Sequence, residues 1–170
     1  GCIIDSFCLE SKPLKCGMFK YHKYIEKEIP DNIKNLLETF LDDYTGFLNI
    51  EVIDKYIIEA HLRLNGDFFI YKESDVDKLI LFAETKKNKK LKTKKNISFF
   101  LLFLKDKNVN FKSIEYLLND KIVENYKFDD INSTSQNEIN KRFLYFTSYE
   151  HNTGIELQNK IYSILYINVW

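Results

Sequence analysis

Between Tyr44 and Asp67 polar side chains interrupt two alternating apolar runs at fixed spacing, and no other stretch of the chain constrains the fold as much. The two runs flank Asp54 and Lys55. Alternation of this kind predicts antiparallel strands over 47–53 and 56–63. Asn49, Glu51, Glu59, His61 and Arg63 are the interruptions. A carboxylate within a sheet is costly unless a cation or a donor stands beside it. Two carboxylates on neighbouring strands, with an arginine and an imidazole, point to a divalent-metal or phosphate site.

Strand geometry says when these groups can meet. Side chains alternate faces, so Asn49 and Glu51 share one side of the first strand. Glu59, His61 and Arg63 share one side of the second. A two-residue turn pairs Ile53 with Tyr56 and sends Glu51 and Glu59 to opposite faces. An odd loop over Ile53, Asp54 and Lys55 pairs Val52 with Tyr56, and all five polar groups converge. No Asn-Gly or Asp-Gly marks a two-residue turn, so the odd loop is allowed.

The run Tyr44-Thr-Gly-Phe-Leu-Asn-Ile-Glu51, followed after the turn by Tyr56-Ile-Ile-Glu-Ala-His-Leu-Arg63, resembles the last catalytic hairpin of the ATP-grasp ligases. The biotin carboxylase version is the most similar. The resemblance implies that Glu51 and Glu59 hold the magnesium ions that bridge the phosphates of ATP. It implies that Arg63 is the catalytic arginine that holds an acyl-phosphate or carboxylate. His61 stands where the family usually has a metal-binding asparagine. Asn49, His61 and Asn65 fall on the cofactor side, with Asn65 as a substitute for that asparagine. Residues 2–8 with Lys12 to Lys15 are similar to the strand pair after the adenine-binding hinge, and residues 31–43 to the helix before the hairpin. The resemblance covers roughly the first 70 residues at one motif. In the family the lid, its Gly-rich loop and two nucleotide-binding lysines lie N-terminal to this region. A second chain or a preceding segment would supply them.

Composition bounds the rest. The chain of 170 residues is 45% hydrophobic and 15% aromatic, enough for a real core. Its 25 acids balance 25 bases, which argues against a general nucleic-acid binder. Asn, Ile and Lys are abundant, a bias typical of AT-rich genomes, including those of large DNA viruses. No run reaches the roughly 18 apolar residues of a membrane helix. Cys2, Cys8 and Cys16 lack zinc spacing and read as free thiols of a reducing, cytoplasmic compartment. The block 86–95 holds seven lysines and no aromatic residue, the pattern of a solvated loop.

Along the chain, strands are predicted over 2–9 and 16–25, then a helix capped by Asp31 and ended near Gly46. A second helical segment begins at Ser74. Ile97 to Leu104 reads as a buried strand, Ser113 to Leu118 as a short helix or turn and Lys121 to Tyr126 as a strand. Arg142 to Ser148 reads as a strand and Asn152 to Gly154 as the cap of a last helix. The expectation is one α+β domain over 1–170, a mostly antiparallel sheet flanked by helices. Residues 71–170 continue it without an assignment. Ser148 and His151 read as helix capping, since a catalytic triad needs tertiary contact.

Two functions follow as expectations. One is the metal-side portion of an ATP- and magnesium-dependent carboxylate ligase, incomplete by itself. The other is a degenerate remnant of such an enzyme that works as a protein-interaction module, without nucleic-acid or membrane partners.

Overall fold

The computed structural model describes residues 6–14, 18–62, 78, 81, 96–104, 111–129 and 141–167. The fold is α+β with mostly antiparallel pairing, as the hydrophobic patterning predicts. Two compact units divide the chain. The first comprises 1–8 and 25–95, the second 9–24 and 96–170. The 25–95 segment of the first unit is thus inserted within the sequence of the second.

The second unit is built on a five-stranded sheet. Its strands are β1 (Cys8–Pro13), β2 (Phe19–Ile25), β5 (Ser98–Leu104), β6 (Val123–Phe128) and β7 (Lys141–Ser148). They lie in the order β1-β2-β5-β7-β6. The insertion leaves after β2 and returns before β5, yet these strands are neighbours, with Tyr21 opposite Phe100 and Lys23 opposite Ser98. β5 and β6 both run antiparallel to β7 and hence parallel to each other. Helix α2 (Phe111–Leu118) connects them, which makes a split β-α-β unit with β7 in the gap. Helix α3 (His151–Ile167) follows β7 and packs on β5, β7 and α2.

The alternation along β5 and β7 places the core. Phe100, Leu102, Leu144 and Phe146 join Ile114 and Leu118 of α2 and Leu157 and Ile161 of α3 in one buried cluster. A register shift after Leu102 lets Phe143 join Leu144 in that cluster. Phe100 and Phe146 stack at 4.8 Å between ring centroids. Such pairing adds about 1 kcal/mol beyond area burial. Gly154 lies against this ring, and a Cβ there would fall inside its van der Waals surface. The helix therefore needs glycine at that position for close approach, whereas the sequence suggested a cap; α3 begins three residues earlier, at His151.

The described part of the first unit is α1 (Asp31–Phe40) and the hairpin of β3 (Asn49–Ile53) and β4 (Tyr56–His61). Asp31 is the first helical residue and Pro30 the N-cap, without a side-chain cap bond. Proline at the helix entry has its φ preset for the helix and no N–H to satisfy. The helix ends at Leu41 and not at Gly46. The predicted helix from Ser74 and the lysine block 86–95 lie outside the described residues, apart from Lys78 and Leu81.

Candidate functional site

The hairpin brings four of the six residues singled out from the sequence to one face. Asn49 lies opposite His61 and Glu51 opposite Glu59. The route differs from the odd loop considered above. Ile53 pairs with Tyr56 across a two-residue turn, in which Asp54 takes a left-handed φ of 56°. Aspartate tolerates this conformation better than most residues, because its short side chain bonds locally. A two-residue turn alone would have sent the glutamates apart. A bulge restores their alignment: Val52 pairs with Ile57 but Glu51 with Glu59, so Ile58 is the extra residue.

The side chains on that face engage each other modestly. His61 Nε2 lies 3.0 Å from Glu59 Oε1, with the glutamate half-exposed. Among the described residues no group of three or more His, Cys, Asp or Glu stands close enough to hold a metal ion. The described donors thus do not make a magnesium cage. Arg63 and Asn65, the remaining candidates, lie outside the described residues. The hairpin is a sheet of two strands by itself.

Most of the apolar side chains of the hairpin and of α1 face solvent. Tyr56 is 68% exposed and Phe40 76%, and Leu36, Val52, Ile53, Ile58 and Leu62 are exposed as well. Ile33 is the exception, buried at the start of α1. The helical spacing of Ile33, Leu36, Leu37, Phe40 and Leu41 predicts one apolar face; Ile33 is buried, Leu37 and Leu41 are half-buried, and Leu36 and Phe40 are exposed. Every other fully buried apolar side chain among the described residues belongs to the second unit.

The second unit holds chemistry that the sequence did not announce. Ser98 Oγ and His151 Nδ1 lie 2.9 Å apart, joining residues 53 apart in the chain. Ser98 is fully buried. The imidazole meets the edge of Tyr21 at 4.6 Å and stacks over Phe100 at 5.7 Å. Burial, aided by the nearby Lys23 charge, pushes the His151 pKa down, while Glu10 opposes the shift. Ser98 is enclosed, and the pair is a hydrogen-bonded contact between β5 and the start of α3. A second pair, Ser11 Oγ and His22 Nδ1, lies at 2.6 Å across β1 and β2. The His22 ring packs beside Phe19 and Phe99, and burial lowers its pKa too. Tyr149 donates to Glu124 at 2.9 Å. Its pKa is pushed up to about 12, first by burial and then by that hydrogen bond and charge. Ser148 Oγ accepts from Glu150 N–H in a turn just before α3, and His151 bonds to Ser98 rather than capping the helix.

Gln158 has the least expected role. Fully buried, its Nε2 donates to the carbonyls of Lys20 at 2.9 Å and Leu101 at 2.8 Å. These residues lie just past the last β2–β5 pair, Tyr21 and Phe100. Where the ladder ends, the amide takes over both acceptors. No sequence signal marks this role, because a glutamine on a helix face is commonplace.

Among the described residues no helix is long and apolar enough to cross a membrane. No family model matches the chain, and no curated protein or solved structure does.

Proposed function

We propose that the inserted unit is a non-catalytic protein-interaction module carried by the five-stranded second unit. The single observation behind this reading is the contrast in burial between the two. Among the described residues the second unit buries Phe100, Phe143, Leu144 and Phe146 while exposing Tyr116, whereas the first buries Ile33 alone and leaves Phe40, Ile53, Tyr56 and Ile58 in solvent. Exposed large apolar side chains at this density are a feature of surfaces that a partner covers. Aromatic residues such as Phe40 and Tyr56 are also the anchors that dominate binding energy when they enter a partner's pocket.

A second reading is favoured by the hairpin register alone. Like charges directly opposite each other destabilise a sheet, yet Glu51 faces Glu59. A divalent cation between them would remove the repulsion, as in the ATP-grasp hairpin that this segment resembles. Magnesium there would neutralise phosphate charge. Arg63 would hold the anion of a carboxylate substrate, and Asn49, His61 and Asn65 would border the nucleotide. The lid and nucleotide-binding lysines of that family would come from elsewhere.

Titration calorimetry with a non-hydrolysable ATP analogue and excess magnesium separates the two. The module reading predicts no binding in the micromolar range and no rise in melting temperature with magnesium or manganese. A ligand selective for the folded state must raise that temperature. Micromolar binding that Glu59→Gln abolishes would contradict the module reading and establish the cation site.

A further inference from the structure

We infer that strand β4 is the self-association edge of this protein, pairing antiparallel with β4 of a second copy about a two-fold axis at Ala60. The inference rests on the module reading and names the partner. Among the described residues β4 is hydrogen-bonded to β3 alone, and no described strand lies along its other edge. Tyr56, Ile58, Glu59 and Ala60 along it are exposed. Open, apolar edges of this kind accept another strand unless a charge, proline or cover prevents it.

The sequence of the edge selects the partner. Ile58-Glu59-Ala60-His61-Leu62 runs apolar, acid, small, base, apolar. A two-fold interface requires that residue i meet j and j meet i. Antiparallel pairing centred on Ala60 satisfies this at each position. Glu59 falls opposite His61 of the second copy, His61 opposite its Glu59, Ile58 opposite its Leu62, and the small Ala60 opposite itself. Ile58 and Leu62, 55% and 58% exposed, would both be covered.

The hairpin register strengthens the choice. Glu51 lies across from Glu59, and Asn49 across from His61. In the paired ribbon one row on this face reads Glu51, Glu59, then His61 and Asn49 of the second copy. The symmetric row reads the same in reverse. Each row sets an imidazole beside two carboxylates that otherwise face one another as like charges. The His61–Glu59 contact within one strand remains possible, so acids and bases alternate across the seam. The bulge at Ile58 interrupts the regular ladder, so the seam is short and the dimer weak.

Sedimentation velocity of the full chain across the micromolar range tests this, with circular dichroism confirming the fold of each variant. The wild-type chain should show a reversible monomer–dimer equilibrium. His61→Glu sets carboxylates opposite each other in both rows and should weaken the dimer about tenfold or more, and Glu59→His, which removes the carboxylate facing His61 of the second copy, should weaken it less. The double swap of Glu59→His with His61→Glu recreates acid opposite base and should restore it. Ala60→Pro, which removes the central N–H, should abolish it. A wild-type chain that stays monomeric throughout overturns the self-pairing, while the module reading is judged separately by its exposed side chains. A dimer indifferent to His61→Glu, or a swap that fails to rescue, overturns it as well.

Discussion

Phe100→Ala is expected to destabilise the second unit by about 4 kcal/mol, the upper part of the range for removing a buried aromatic ring. Phe100 is fully buried and touches three elements at once. It stacks on Phe146 of β7, meets Tyr21 of β2, lies parallel to His151, and receives the backbone of α3 at Gly154. The cavity cannot collapse easily, because strands on both sides are held in register with β5. Gly154→Ala supplies the complementary test. A Cβ there overlaps the ring, and overpacking of this kind costs about 1–3 kcal/mol. In the double variant the added methyl enters the space the ring vacated. Urea denaturation should therefore show a combined loss smaller than the sum of the two single losses. Strict additivity would mean that Gly154 is required for some reason other than Phe100.

The second large effect is expected at Gln158. Gln158→Glu places a carboxylate where an amide now donates to two carbonyls. An uncompensated buried charge costs about 3–5 kcal/mol, and the group escapes part of it by binding a proton. The sign of the pH dependence follows. The folded-state pKa of this glutamate would be raised, so the unfolded chain releases its proton first. The variant should be closest to wild type in acid and lose stability as pH rises through and above the ordinary carboxylate range. Gln158→Leu should be milder, about 1–2 kcal/mol. It strands the carbonyls of Lys20 and Leu101, but it also removes Gln158 Oε1, a buried acceptor without a partner. Melting curves against pH decide this, and a glutamate variant no worse than the leucine variant would show that the amide is not needed there.

Much of the second unit was legible because burial and periodicity agree in it. Ile97 to Leu104 is apolar apart from Ser98, and Ser98 to Leu104 is the central strand. Arg142 to Ser148 and the inner face of the last helix, with Leu157 and Ile161, were readable by alternation and by 3.6-residue spacing. The interrupted topology was not legible. β2 and β5 pair across an insertion of some seventy residues, and no local pattern encodes such pairing. At the candidate site, alternation correctly put Asn49 with Glu51 and Glu59 with His61. Their alignment depends on one bulged residue, Ile58, which carries no compositional mark. The pair of Ser98 and His151 depends on tertiary approach, as does the clamp by Gln158.

The exposure of the inserted unit also resisted the sequence. Apolar spacing in α1 says which side chains share a stripe but not whether anything covers it. If Phe40, Ile53 and Tyr56 serve binding, folding does not need them. The most direct measurement is the denaturation free energy, with apolar-dye fluorescence, of a variant carrying Phe40→Gln, Ile53→Thr and Tyr56→Thr. These replacements keep helix and strand propensities near their original values. The module account predicts a total change of about 1 kcal/mol or less, the range of surface substitutions, together with a clear drop in dye binding. A loss of several kcal/mol with dye binding unchanged would contradict it, because those side chains would then be holding the fold together.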